Sequence, residues 1–174
     1  MTAESQRPVI NVHKTGLDYF FEWGALLLII SMWIYAGCHY PQLPNTIPVH
    51  YGASGYADGF GSKTTLFILP GIVTAINILL RLVNRFPHKF NYLTNITPEN
   101  AEMHYRKSMR LLRYLQFFIS LLFSYIVFKE VNDASSQYSK LDVWFMFVFF
   151  PGLLIPTVYT IYTSLTSNKS KQKK

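Results

Sequence analysis

Four long apolar runs constrain this chain more than any other feature of its sequence. They cover residues 20–40, 64–83, 111–128 and 143–165, and the last run contains no Asp, Glu, Lys or Arg. A transmembrane helix needs about 20 mainly apolar residues, because each residue adds 1.5 Å across a hydrocarbon core about 30 Å thick. The runs therefore predict four membrane-spanning helices.

The overall composition agrees with a membrane environment. Only 14% of the residues are charged and 50% are hydrophobic, whereas soluble domains carry about 25% charged residues. The single cysteine, Cys38, excludes an internal disulfide. We therefore expect an all-α integral membrane protein, with residues 1–174 forming a single membrane domain.

The basic residues fall mainly on one side of the predicted membrane. Only three of the 16 Lys and Arg residues, Lys63, Lys129 and Lys140, lie in the connections after the first and third runs. The other 13 lie in the two tails or in the connection 84–110 and its margins. The positive-inside rule then places both termini in the cytoplasm and the loop 40–63 outside. The expected location is the bacterial cytoplasmic (inner) membrane.

The same charge distribution bears on the expected partners. The basic residues flank apolar spans, and no separate domain remains to present them to a nucleic acid. The lipid bilayer is the partner that the composition predicts. The sequence leaves open whether the chain forms a homo-oligomer.

The cytoplasmic connection 84–110 contains a helix signal. Thr97 can act as an N-cap, with Pro98 at the first helical position and Glu99 in the first turn. Met103 and Met109 follow among basic residues. The segment predicts an amphipathic cytoplasmic helix that precedes the third span and runs into it.

The outer loop 40–63 is rich in residues that shape a backbone. Prolines fix φ and glycines allow positive φ, so this loop should have a defined shape. It also carries ionisable side chains that could bind a ligand. The residues that we expect to shape the loop or to contact a ligand are Pro44, Pro48, His50, Gly55, Asp58, Gly59, Gly61 and Lys63.

Two interpretations of the polar loop residues stay open. In the first, His50 and Asp58 hydrogen-bond each other or the loop backbone, and Lys63 pairs with Asp58. In the second, His39, His50 and Asp58 hold a metal in a small transporter or a metal-dependent membrane enzyme. A P-loop is excluded by spacing, since Ser62 separates Gly61 from Lys63. We favour the structural interpretation, with no catalytic residue, no metal and no cofactor.

Few polar residues lie within the predicted spans. Asn77, Gln116 and Ser120 are amides and hydroxyls, which more often join helices than conduct ions. Asp18 and Glu22 are expected at the entrance of the first span. The spans should therefore lack a buried charge pair, which argues against a coupled transporter.

The loop resembles a known signature. The sequence LPNTIPVHYGASGYADGFGSK is similar to the pattern LPxxIPxHxxxxGxxDxxGxK of a bacterial membrane family of unknown function, which also forms the N-terminal part of Sdp-type toxin immunity proteins. A second stretch, with Phe90, Asn91 and Tyr92 followed by residues 96–101, resembles that family's cytoplasmic connection. The matching loop positions are Leu43, Pro44, Ile47, Pro48, His50, Gly55, Asp58, Gly61 and Lys63.

The resemblance implies a helical membrane protein, and in its immunity branch a protein that answers a secreted toxin or holds a repressor at the membrane. Immunity proteins of that branch continue with additional C-terminal helices, whereas this sequence has one further span and a lysine-rich tail. The leading hypothesis is a non-enzymatic, immunity-like or sensor/regulatory protein. It would recognise an extracytoplasmic ligand, such as a peptide toxin or a regulatory protein, through the loop 40–63.

Overall fold

A computed structural model describes residues 7–134, 140, 142 and 144–171. It confirms four helices that are long and apolar enough to cross a membrane. Helix α3 begins well before the apolar run from which it was predicted, and α4 extends beyond its run. The helices are α1 (Gly16–His39), α2 (Ile68–Val83), α3 (Ala101–Asn132) and α4 (Trp144–Lys171).

The loop 40–63 contains a β-hairpin that the sequence interpretation did not include. Strand β1 (Thr46–Tyr51) pairs antiparallel with β2 (Ala57–Ser62), and Thr46 lies opposite Ser62. Gly55 has φ 82° in the turn, a conformation that costs any residue with a Cβ about 1–2 kcal/mol. A backbone ladder, rather than an irregular loop, therefore gives this segment its shape.

Helix α3 is the common partner of the other three helices. It packs most extensively against α1 and then against α2 and α4. On α4 the contact face includes Phe145, which is buried with Phe118 and Leu122 of α3. Phe149 and Leu153 are half-buried against the same cluster, and none of the membrane-span window Phe147–Thr166 is fully buried. Most large apolar side chains of the spans thus face outward, as a lipid environment requires.

The main hydrophobic core lies beneath the hairpin. Ile47 of β1 and Leu66 of the following 3-10 turn are fully buried there. They join residues from three helices, so the hairpin is packed into the bundle and does not hang free of it. The helical members of this core are Ile29, Met32, Ala36, Val73, Val127 and Val131, and Ala134 joins them from the turn after α3.

The described part of the segment before α1 packs against the bundle. Val12 is buried with Tyr105, whose hydroxyl donates to the Pro8 carbonyl at 3.0 Å. Arg7 lies over the ring of Tyr92 at 5.5 Å. Burial raises the pKa of Tyr92 to about 12, so this ring stays neutral at physiological pH.

The start of α3 also differs from the prediction. Its N-cap residue is Asn100, not Thr97, and Ala101 begins the helix. The Asn100 side-chain oxygen accepts from the Thr97 backbone N–H at 2.9 Å, so the predicted cap residue lies in the turn before the helix. Interfacial placement of the first turns of α3 stays a prediction.

Candidate functional site

Polar side chains gather at the two ends of the helical bundle. We call residues 40–67 the hairpin end, and residues 7–22 together with 81–113 the basic end. Helix α1 has 24 residues and connects them, which corresponds to about 36 Å at 1.5 Å per residue. The two ends therefore form separate candidate sites.

The hairpin has an inner and an outer face. Ile47 is 0% exposed, while Phe60, which lies one ladder position along and so on the opposite face, is 57% exposed; Pro48, the ladder partner of Phe60, is itself buried. Exposure alternates along β2, so Asp58, Phe60 and Ser62 share the outer face. One face thus anchors the hairpin and the other is free to meet a ligand.

The predicted contact between His50 and Asp58 is present on this outer face. His50 Nδ1 lies 2.5 Å from Asp58 Oδ1, and the two side chains are 71% and 55% exposed. Gly59 lies opposite His50, and a Cβ at this position would come within 2.9 Å of the His50 Cβ. The glycine therefore lets the strands approach closely at the point where the pair forms.

Lys63 does not pair with Asp58, and that part of the structural interpretation is wrong. Its Nζ donates to the Leu43 carbonyl at 3.2 Å and lies 4.9 Å from the centre of the Tyr40 ring. Lys63 therefore ties the base of the hairpin to the end of α1. Of the remaining predicted loop residues, Pro44 is exposed and Gly61 pairs with Ile47.

The metal-site alternative lacks its ligand set. His39 Nδ1 contacts the Tyr35 carbonyl at 2.8 Å, within its own helix. Within the described residues, no group of three or more His, Cys, Asp or Glu side chains could hold a metal ion. His39, His50 and Asp58 are therefore not brought together as three ligands.

Sequence reasoning missed three exposed apolar side chains on the hairpin. Val49, Tyr56 and Phe60 are 42%, 50% and 57% exposed. Tyr56 also forms a bridge with Lys140, whose Nζ lies 4.7 Å from the centre of the Tyr56 ring. The alternation of Asp58, Phe60 and Ser62 with Gly59 and Gly61 is a strand pattern that could have revealed the exposure of Phe60.

The basic end holds buried ion pairs, which corrects the expectation that the spans lack them. Asp18 and Arg113 are 1% and 4% exposed. Arg113 donates to Asp18 at 3.2 Å and to Glu22 at 2.8 Å, and so joins α1 to α3. Arg110 also contacts Asp18 at 3.2 Å, and Lys14 contacts Glu22 at 2.6 Å. The sequence placed Asp18 and Glu22 only at the entrance of the first span. It did not identify the arginines that pair with them, because those arginines lie far along the chain.

Between the two ends, buried polar side chains join α2 to α3. Asn77 donates to the Ser120 hydroxyl at 3.1 Å, and Gln116 donates to the Asn77 carbonyl at 2.9 Å. These contacts confirm that the intramembrane amides and hydroxyls hold helices together.

One comparison with known proteins falls on the hairpin region. Residues 27–74, from α1 through the hairpin to the first part of α2, match the family model described as "Domain of unknown function (DUF1648)". The chain is also 39% identical over 74 residues to an uncharacterized protein of Archaeoglobus fulgidus, a match that covers 38% of this chain and 40% of that protein. No solved structure matches. Together with the four apolar helices, these similarities support a multi-pass membrane protein related to a membrane family of unknown function.

Proposed function

We propose that this protein is a non-enzymatic membrane sensor or immunity-like protein that recognises an extracytoplasmic peptide or protein through the outer face of the hairpin. The observation that carries the proposal is the difference between the two faces. Ile47 is fully buried in the bundle, whereas Phe60 and Tyr56 are at least half exposed. A surface that is held rigid and left uncovered is suited to recognition.

The chemistry of the outer face supports a peptide or protein ligand. Aromatic side chains such as Tyr56 and Phe60 are enriched where proteins bind one another, because they bury much area with little loss of conformational freedom. The neighbouring His50 and Asp58 add one hydrogen-bonding pair. This pair distinguishes the face from the apolar helix surfaces that meet lipid.

Contacts that continue inward support a sensing role. Ile47 packs in the same core as Val73 of α2 and Val127 of α3. Further along these helices, Asn77 and Gln116 join α2 to α3. A displacement of the hairpin would therefore act on two helices that reach the basic end.

The proposed orientation places the hairpin outside and both termini in the cytoplasm, on the basis of the basic residues. A cysteine test checks it: Cys38→Ser removes the native thiol, and Phe60→Cys or Arg85→Cys then reports each end. A membrane-impermeant maleimide should label Phe60→Cys in intact cells, and Arg85→Cys only after lysis. The reverse pattern would contradict the orientation.

The function is tested by complementation in the native host. We expect a deletion strain to lose tolerance to the peptide fraction of the host's own spent medium, and the wild-type gene to restore it. Phe60→Glu should fail to restore tolerance although the protein accumulates normally. Ile30→Ala is the control, since Ile30 is 46% exposed on a lipid-facing surface of α1.

Two results would contradict the proposal. The deletion strain could grow as well as the wild type in this peptide fraction, or Phe60→Glu could restore tolerance fully. In either case the outer face of the hairpin does not serve recognition of a secreted peptide.

A further inference from the structure

The basic end contains a cavity that the proposed function does not use. Its volume is about 490 Å³, and it lies among the segment before α1, α1 itself, the end of α2 and α3. Four cationic side chains and one carboxylate line it: Lys14, Arg81, Arg85, Arg113 and Glu22. The cavity therefore favours an anionic occupant.

The cations of the cavity divide into two groups. Lys14 and Arg113 are both committed to Glu22, at 2.6 Å and 2.8 Å. Arg81 and Arg85 are different, because no hydrogen bond or ion pair reaches either side chain from the described part of the chain. Two guanidinium groups that line one cavity repel each other unless an anion lies between them.

The oxygen of a buried side-chain amide in the same wall also lacks a partner. Asn84 is 7% exposed, and its Nδ2 donates to the Met109 carbonyl at 3.2 Å. This bond fixes the amide orientation, because a flipped side chain would set two oxygens against each other. The remaining Oδ1 has no partner among the described residues. A ligand that carries a hydroxyl donor next to its anionic group would satisfy it.

A second cavity indicates that this ligand is a lipid. It has a volume of about 120 Å³ and shares Glu22, Arg81 and Gln116 with the basic cavity. Its other lining residues lie on α1 and α2 and are mostly apolar, namely Ala25, Leu26, Ile29, Thr74, Asn77 and Ile78. An anion-binding site that continues into an apolar groove matches an anionic headgroup followed by an acyl chain.

The position of the basic cavity relative to the membrane also agrees with a bound lipid. Trp23 lines the basic cavity and is 61% exposed, and tryptophan is enriched at the level of the lipid headgroups. We propose that the basic cavity binds the phosphodiester of an anionic phospholipid between Arg81 and Arg85, with an acyl chain along the groove between α1 and α2. Basic pockets between helices at this level bind such headgroups.

Native mass spectrometry of the full-length protein in detergent tests the site. The protein is titrated with phosphatidylglycerol, phosphatidylcholine, glycerol-1-phosphate and inorganic phosphate. We expect one tightly retained phosphatidylglycerol per chain, and binding roughly tenfold weaker in the Arg81→Gln/Arg85→Gln double variant. The matched control is Lys89→Gln/Arg106→Gln, which removes the same charge from the basic end outside the cavity and should bind like the wild type.

The groove is tested by a separate variant. Ile78→Trp should fill the smaller cavity and weaken phosphatidylglycerol binding, while binding of glycerol-1-phosphate stays unchanged. Ile78 is 56% exposed, so the substitution leaves the packed core intact.

Three outcomes would overturn the proposal. Equal losses in the two double variants would mean that surface charge alone attracts the lipid. Retention of phosphatidylcholine equal to that of phosphatidylglycerol would remove the anionic preference. Inorganic phosphate that competes at the same concentration as the lipid would assign the site to a free anion.

Discussion

The hairpin end and the basic end hold ionisable side chains in opposite ways. At the hairpin end, His50 and Asp58 are 71% and 55% exposed, and apolar burial holds the structure. At the basic end, Asp18 and Arg113 are 1% and 4% exposed and themselves join two helices. Charge at the hairpin end is therefore available to a ligand, whereas charge around Asp18 maintains the fold.

The expected energies separate the two ends clearly. An exposed ion pair contributes about 0–1 kcal/mol, because water and salt screen it. Removing one partner of a buried pair costs about 3–5 kcal/mol, because the other charge is left without compensation. Four substitutions probe this difference, and the first should have the largest effect.

Arg113→Leu should be the most destabilising change. It leaves the carboxylates of Asp18 and Glu22 without their shared cation, and we expect a loss of about 3–5 kcal/mol in the free energy of unfolding. Chemical denaturation in mixed micelles measures this loss. Arg106→Leu is the control, since Arg106 pairs with Glu102 on the surface of α3. Equal losses in both variants would remove the contrast between buried and exposed pairs.

Ile47→Ala should weaken the attachment of the hairpin to the bundle. Ile47 is 0% exposed, so truncation leaves a cavity in the core and should cost about 2–4 kcal/mol. The same denaturation experiment, with proteolysis of the hairpin as a second readout, measures the change. Val49→Ala, at a residue that is 42% exposed, should stay close to the wild type; a loss as large as that of Ile47→Ala would contradict the difference in burial between the two residues.

Gly55→Ala should have a smaller effect that arises in the backbone alone. The φ of 82° disfavours a side chain, and we expect a cost of about 1–2 kcal/mol. Gly37→Ala is the matched control, because Gly37 lies in the last turn of α1 and a Cβ there meets nothing within 4 Å. It should leave stability unchanged or raise it by up to about 1 kcal/mol. A Gly55→Ala protein as stable as the wild type would mean that the turn tolerates another conformation.

His50→Ala should change stability least and recognition most. Its partner Asp58 is exposed, so the expected loss is below about 1 kcal/mol. In the complementation assay the same variant should restore little or no tolerance. A variant that is markedly unstable would instead assign the His50–Asp58 pair to the fold.

The sequence predicted the helices well, because length and apolar character decide whether a segment can cross a bilayer. It did not predict the hairpin, since proline and glycine indicate a shaped segment without saying which backbone partners pair. It also did not predict the buried ion pairs between α1 and α3. Glu22 and Arg113 are 91 residues apart, and no local pattern connects them.

Among the candidate site residues, too, some contacts could be predicted from the sequence and others could not. The contact between His50 and Asp58 spans only eight residues and was among the expected alternatives. The contacts of Lys63 were not among the expected alternatives, because its acceptors are the backbone carbonyls of Leu43 and Tyr40 and not an acidic side chain. Any residue type can supply a backbone carbonyl, so the sequence does not identify such an acceptor. The opposite charges of Lys63 and Asp58 therefore suggested the wrong partner.

The buried ion pairs also set an order for biosynthesis. Asp18 and Glu22 are synthesised long before Arg110 and Arg113, which compensate them in the finished bundle. Until the ribosome has made α3, the start of α1 carries carboxylates that are costly to dehydrate. The first turns of α1 should therefore remain at the membrane surface during translation, and α1 should settle to its final depth only when the third helix arrives.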